Sequence, residues 1–211
     1  MRCRPRVFCA SMADVFENRA DLSPWREKLW KLIAQTPRLD WLLLTKRPQN
    51  VETMVPWTDI WPANVWLGTT VEDQKRAKER LSFLLKHKAK RRFLSCEPLI
   101  GSVDLSPWIG RKDLFSIDWV IAGGESGPYA RPMLPNWARA LRDQCKAAQI
   151  PFHFKQWGHW APAKAPSDSK SKVQKFWDNV AGVDIFMAPQ GKKVAGRRLD
   201  GATWNELPQT A

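Results

Sequence analysis

Short apolar runs alternate with longer amphipathic stretches along the chain. Six such runs stand out: Arg6-Val-Phe-Cys-Ala10, Trp41-Leu-Leu-Leu44, Val65-Trp-Leu67, Arg92-Phe-Leu-Ser95, Trp119-Val-Ile-Ala122 and Phe152-His-Phe154. Most are continuously apolar, the pattern of strands buried on both faces of a parallel sheet. Between them the apolar positions repeat with helical period. Ser23 is a good N-cap and Pro24 a good first helical residue, and Trp25, Leu29, Leu32 and Ile33 then share one face. Ala77, Leu81, Leu84 and Leu85 repeat that spacing, with Lys75, Arg76, Lys78 and Arg80 mostly opposite. Trp137, Leu141, Cys145 and Ala148 do so a third time, after Pro135 and the candidate cap Asn136. Weaker helices are expected over 48–55 and 106–114.

Strand, helix, strand at a repeat of about 30 residues predicts parallel βαβ units with right-handed crossovers. A complete eight-unit barrel would need two more strands and typically about 250 residues. The pattern therefore leaves an open doubly wound sheet or an incomplete barrel, and both place function at the carboxyl ends of the strands. Residues 1–158 form this α/β unit. A flexible linker is expected over 159–182, centred on the Pro/Ser/Lys stretch 161–172. A small tail follows over 183–211, with Val183–Met187 and Gly191–Val194 predicted to pair as a hairpin about Pro189-Gln190-Gly191.

Composition narrows the class. At 211 residues and 44% hydrophobic, the chain can bury a sizeable core and is not disordered throughout. No apolar run approaches the roughly 20 residues that span a bilayer. The basic start is followed only by Val7 to Ala10, too short for a secretory signal, so a cytoplasmic location with no membrane partner is expected. Cys3, Cys9, Cys96 and Cys145 are scattered, and His87, His153 and His159 are too few and too separated, so no metal site is assigned. The balance of 34 Lys+Arg against 21 Asp+Glu gives +13, which makes nucleic acid a candidate partner. Lys75, Arg76, Lys78, Arg80, Lys86, Lys88, Lys90, Arg91 and Arg92 crowd one segment, whereas most of the 13 Trp fall on apolar faces and read as core.

The residues after the strands carry the candidate chemistry. They include Asp14, Thr45-Lys46-Arg47, Thr69-Thr70-Val71-Glu72, Glu97-Pro98, Gly123-Gly124-Glu125-Ser126-Gly127 and Lys155-Gln156. If the sheet curves, these ends meet at one mouth, where carboxylates face cations. That arrangement suits a zwitterionic ligand or a shared proton. The candidate binding set is Asp14, Lys46, Thr69, Glu72, Glu97, Gly123, Gly124, Glu125, Ser126, Lys155 and Gln156. Glycines after a strand allow positive φ and offer amides to a phosphate or carboxylate. The string is neither GxGxxG nor a P-loop, which leaves nucleotide binding unassigned. Pro98 holds Glu97 extended. Ser126 is not in a Gly-x-Ser-x-Gly elbow and no His follows in a triad-like place, so no catalytic residue is assigned.

Longer strings carry a family likeness. Arg6–Phe16, Leu43–Pro48, Asn64–Glu72, Phe93–Leu99, Trp119–Gly127, Arg131–Met133, Leu141–Cys145, Phe154–Gly158, Gly191–Arg197 and Leu199–Gly201 together resemble, in order, the phage gp thirty-seven/gp sixty-eight family. This is a domain of unknown function, also called the three-Cys-motif family. The resemblance implies a radical S-adenosylmethionine-like partial TIM barrel. It also implies S-adenosylmethionine and a 4Fe-4S cluster as cofactors, the cluster held by an N-terminal Cys-rich loop. This chain lacks that loop and begins where the family enters its second strand. An N-terminally truncated form that binds no cluster is therefore expected, with Cys3 and Cys9 unable to replace the missing ligands. The Gly-Gly-Glu string also resembles the motif that grips the methionyl amine in radical S-adenosylmethionine enzymes. It lies after a late strand here, so only its place at the mouth carries over. The alternatives are a basic nucleic-acid-associated phage protein and a non-catalytic scaffold that depends on a partner chain. A sheet without its first strand would expose an edge that must be covered or paired.

Overall fold

A computed structural model describes residues 4–10, 12–110, 116–166, 172–179 and 181–209. All six apolar runs are strands: β1 (Arg6–Cys9), β2 (Asp40–Thr45), β3 (Val65–Thr70), β4 (Arg91–Cys96), β5 (Trp119–Gly123) and β6 (Phe152–Gln156). Every neighbouring pair is parallel and the order is β1-β2-β3-β4-β5-β6. That order separates the two architectures left open by the sequence. Right-handed crossovers with no reversal of direction send every helix to the same face. A doubly wound sheet needs such a reversal. The sheet is instead a curled half-barrel, with β1 and β6 at its two edges.

Four helices lie on the convex face: α1 (Ser23–Gln35), the single turn α2 (Val51–Met54), α3 (Gln74–Leu84) and α4 (Pro135–Ala147). Their inner residues Ile33, Ala77, Leu81, Leu84, Ala138 and Leu141 bury against Leu43, Leu67, Leu94, Val120 and Phe154 of the sheet. Two cap expectations need correction, and α3 has a side-chain cap that was not expected. Ser23 is the first residue of α1, and its hydroxyl accepts from Arg26 while Leu22 holds the cap position. Leu134 caps α4, which places Asn136 inside the helix, where its side chain accepts from Arg139. The true side-chain cap is Asp73, which accepts from the Arg76 amide at 2.9 Å. The expected helix over 106–114 also fails: its described part is a turn closed by Trp108 N–H to Leu105, and 111–114 lie outside the described residues.

The strand positions that alternate with the helix-facing ones point into the concave side. There Leu42, Trp66, Phe93, Trp119 and Ile121 form a second, smaller core. Trp66 and Trp119 meet edge to face at 6.2 Å, and Phe8 meets Phe93 at 6.2 Å. Gly68 makes this slab fit, because a Cβ there would stand 2.4 Å from the Phe93 ring. The slab is the floor beneath the mouth.

The tail differs from its expectation. β7 (Trp160–Pro162), β8 (Gln174–Asp178) and β9 (Val183–Pro189) form an antiparallel sheet in the order β7-β9-β8. The partner of 183–189 is therefore β8 and not 191–194, which belongs to the short helix α5 (Lys192–Ala195). Asp178 accepts from the Ala181 amide, and Gly182 at φ 64 completes the β8–β9 turn. Two strands thus fall inside the span expected to be linker, of which 167–171 and 180 lie outside the described residues. The chain then returns to the half-barrel. Leu199 is fully buried in the main core, and Arg139 and Arg142 hold Asp200. Along the outer edge of β6, Phe154 N–H donates to Trp204 O, Glu206 N–H to Phe152 O, and Phe152 N–H to the Glu206 carboxylate. No helix among the described residues is long and apolar enough to cross a membrane.

Candidate functional site

The carboxyl ends of the strands surround a cavity of about 680 Å³. Of the predicted set, Asp14, Lys46, Glu97, Gly124, Glu125, Ser126, Lys155 and Gln156 line it. Thr69, Glu72 and Gly123 stand behind that wall. The Thr69 hydroxyl is buried and donates to Thr45 O at 2.8 Å, tying β3 to β2. Gly123 lies beneath Glu97, where a Cβ would come 2.5 Å from Glu97 Oε1.

Most of the acids are held by neighbouring cations. Asp14 accepts four hydrogen bonds, from Phe16 N at 3.0 Å, Thr45 Oγ1 at 2.7 Å, Lys46 N at 3.0 Å and Arg47 Nη1 at 2.8 Å. A carboxylate so occupied is a strut between the β1 and β2 ends. Glu72 sits between the Lys46 ammonium and Arg80 Nη1, the latter at 2.7 Å. Burial pushes its carboxyl up, but the Lys46 hydrogen bond and the Arg80 and Lys46 charges outweigh this and leave it below its ordinary value. Arg80 also donates to Thr70 O and Oγ1, so it belongs to the mouth wall and not to the solvent face the sequence placed it on. Glu125 takes Arg131 in a two-pronged grip at 2.8 Å and the Arg131 amide besides. Those Arg131 hydrogen bonds hold its carboxyl below the usual range. Arg80 and Arg131 were absent from the predicted set. Only the appearance of Arg131-Pro-Met133 among the family strings hinted at the second.

The glycines do a different job from the one expected. Neither Gly123 nor Gly124 has positive φ, whereas Gly127 does, at 111°. The Gly124 amide donates to Gln156 O at 2.9 Å and so is not free for an anion. A Cβ on Gly124 would stand 1.9 Å from Trp157 O. The small residue is needed because two backbones cross closely at the ends of β5 and β6. His159 N–H to Glu125 O and Gln156 Nε2 to Gly124 O complete that stitch.

Lys155, Glu97, Ser95 and Gln156 make up another part of the lining. Lys155 Nζ meets Glu97 Oε2 at 3.1 Å, an opposed pair whose lysine side chain is half exposed. Ser95 Oγ lies 3.4 Å from the same oxygen. Gln156 is only 9% exposed, lines the cavity, and keeps a buried Oε1 without a hydrogen-bond partner. Ser126 is exposed on the rim, and Lys192 of α5 joins the lining from a segment that the sequence reading assigned to the tail.

The cysteines do not gather here. Burial pushes the thiols of Cys9 and Cys96 up, and that of Cys145 up to about 12. Thiolate, the ligand form, is disfavoured at all three. Among the described residues no group of three or more His, Cys, Asp or Glu could hold a metal ion, and Cys3 lies outside them.

A family model described as "Protein of unknown function (DUF5131)" matches residues 1–208. No curated protein and no solved structure matches the chain.

Proposed function

The chain belongs to the DUF5131 family, and on that footing we propose that its mouth binds a small zwitterionic ligand. S-adenosylmethionine is the ligand that the sequence resemblance implies. The observation that carries the reading is the Glu97–Lys155 pair, 3.1 Å apart in a cavity of about 680 Å³. An α-ammonium takes the place of Lys155 at Glu97, and an α-carboxylate turns to the freed Lys155. The exchange is cheap because a half-exposed ion pair is worth little, about 0–1 kcal/mol. Asp14, Glu72 and Glu125, each engaged by neighbouring donors, keep the wall in shape.

The described residues do not fit the iron–sulfur cluster that the same resemblance implies. Their three cysteines are scattered, half-buried or buried, and held as thiols.

Calorimetric titration with S-adenosylmethionine tests the reading on the wild type, Glu97→Gln and Lys155→Met. Saturable binding is expected, weakened about tenfold by either change, or about 1.4 kcal/mol. A folded wild type that takes up no ligand at millimolar concentration overturns it. Sedimentation together with a second chain would then favour the scaffold reading, which the β1 edge motivates.

A further inference from the structure

The outer face of α3 carries no part of the mouth. Its inner side buries Ala77, Leu81 and Leu84, which turns Lys75, Lys78, Ser82 and Phe83 to solvent, and Lys86 is exposed in the turn that follows the helix. The one acid on this face is Glu79. It is drawn to Arg76 at 2.5 Å and stands 4.0 Å from Lys75, so it does not offset the lysines beyond it. Lys88 pairs with Asp59 at 2.7 Å, and Lys90 is exposed just past the helix. Lys78 stands on the second turn of α3, and Lys86 lies in the turn just past its C-cap, Leu85. Between them Phe83 is 38% exposed, with the Lys86 ammonium over its ring, 5.1 Å from the centre, a place it gives up when it turns to a phosphate and a base takes the ring face. An exposed aromatic ring framed by cations, on a chain of net charge +13, matches bases and phosphates in alternation.

We propose that this face of α3 binds single-stranded nucleic acid, with backbone phosphates at Lys78 and Lys86 and a base stacked on Phe83. Single strand is favoured over duplex because Phe83 is of use only to a base with a free face. The surface also adjoins the mouth. Arg80 of the same helix reaches Thr70 and Glu72, so a strand lying along α3 is led toward the cavity at the helix's first turn. The proposal does not depend on what the mouth holds.

The test uses the full chain and a fluorescein-labelled oligothymidylate of about 20 nucleotides, followed by anisotropy across a salt series. Binding should weaken with salt at a slope of about −0.7 per phosphate engaged, so roughly −1.4 for two. Lys78→Glu with Lys86→Glu should weaken binding at least tenfold and flatten that slope, and Phe83→Ala should weaken it about fivefold with the slope unchanged. All three positions are solvent-facing, and unchanged circular dichroism confirms that the variants fold. Glu97→Gln should bind the oligonucleotide as the wild type does, which keeps this result apart from failure of the mouth reading. Salt-independent binding, duplex bound as tightly as single strand, variants indistinguishable from wild type, or binding only to anionic lipid vesicles would each overturn the proposal.

Discussion

The two edges of the half-barrel are treated in opposite ways. At β6 the chain's own final segment lies alongside the strand, with Trp204 and Glu206 taking up the outward backbone groups of Phe152 and Phe154. The Trp119 indole adds a hydrogen bond to Glu206 O at 3.0 Å. At β1 the described residues offer no such cover. β1 is only four residues long, it pairs only with β2, and Phe8 on its concave side is 40% exposed. Both are strategies for an unpaired edge: cover it, or keep it short. The contrast shows that an incomplete barrel need not close through a strand. A non-strand segment can satisfy an edge if it supplies a carbonyl, an amide and a carboxylate at the right spacing.

The contrast can be broken most severely from the covered side. Leu199→Ala removes the fully buried anchor of the covering segment and should cost about 2–5 kcal/mol, read as a lower denaturant midpoint. Phe8→Ala deletes more atoms at the other edge, yet should cost less, about 1–2 kcal/mol, because much of the ring already meets water. If Phe8→Ala proves the costlier change, the β1 edge is the better supported one and the comparison reverses. Glu206→Ala comes next, at about 1 kcal/mol, because it strips the acceptor from the Phe152 amide. Hydrogen exchange at Phe152 should quicken in that variant while the β1 amides keep their wild-type rates.

The smallest effect is that of pH. His153 lies on β6 opposite Asn205 of the cover, and burial lowers its pKa, with Arg197 and Lys155 adding to the shift. His87, beneath α3, is also lowered, again by burial first. The folded state therefore prefers both rings neutral. The unfolded chain takes up protons near the ordinary value of about 6.5, so stability is full above that pH and declines as pH falls through it. Melting at pH 7.5 and 5.5 should show this loss, and His153→Gln should reduce it. An equal loss in the variant would remove His153 from the account.

Much of this architecture was legible in the sequence, for local reasons. The inner strands β2 to β5 stood out as apolar runs because burial on both faces leaves little polar alternation, whereas the edge strands β1 and β6 are only partly buried. The mouth followed, since parallel strands bring all their carboxyl ends to one side. Periodicity alone left half-barrel and doubly wound sheet open, because strand order depends on which edges meet in space; the family likeness implied the partial barrel, and the strand order bears it out. Side-chain partners were harder still. Arg80 reads as part of a solvated helix face, but it bends back across its own N-terminus to Glu72. Gly124 reads as an anion loop, and only the approach of Trp157 O reveals why a side chain is excluded. In the tail, the polar string Gln174-Lys-Phe-Trp-Asp178 concealed β8, and Gly191–Val194 was paired in its place.

The strand order has a consequence for how the protein is made. Neighbours in the sheet are also neighbours in sequence, so each pairing closes no more than the one crossover between them. A chain leaving the ribosome from its N-terminus can add each strand to a partner already in place. The cover of β6 is the exception, for it is drawn from Trp204 and Glu206, well downstream of the strand. Until they emerge, the growing sheet carries a free edge at its newest strand. The covering segment therefore acts as a clock as well as a seal: its arrival ends the interval in which the β6 edge of a nascent molecule can pair with its neighbours.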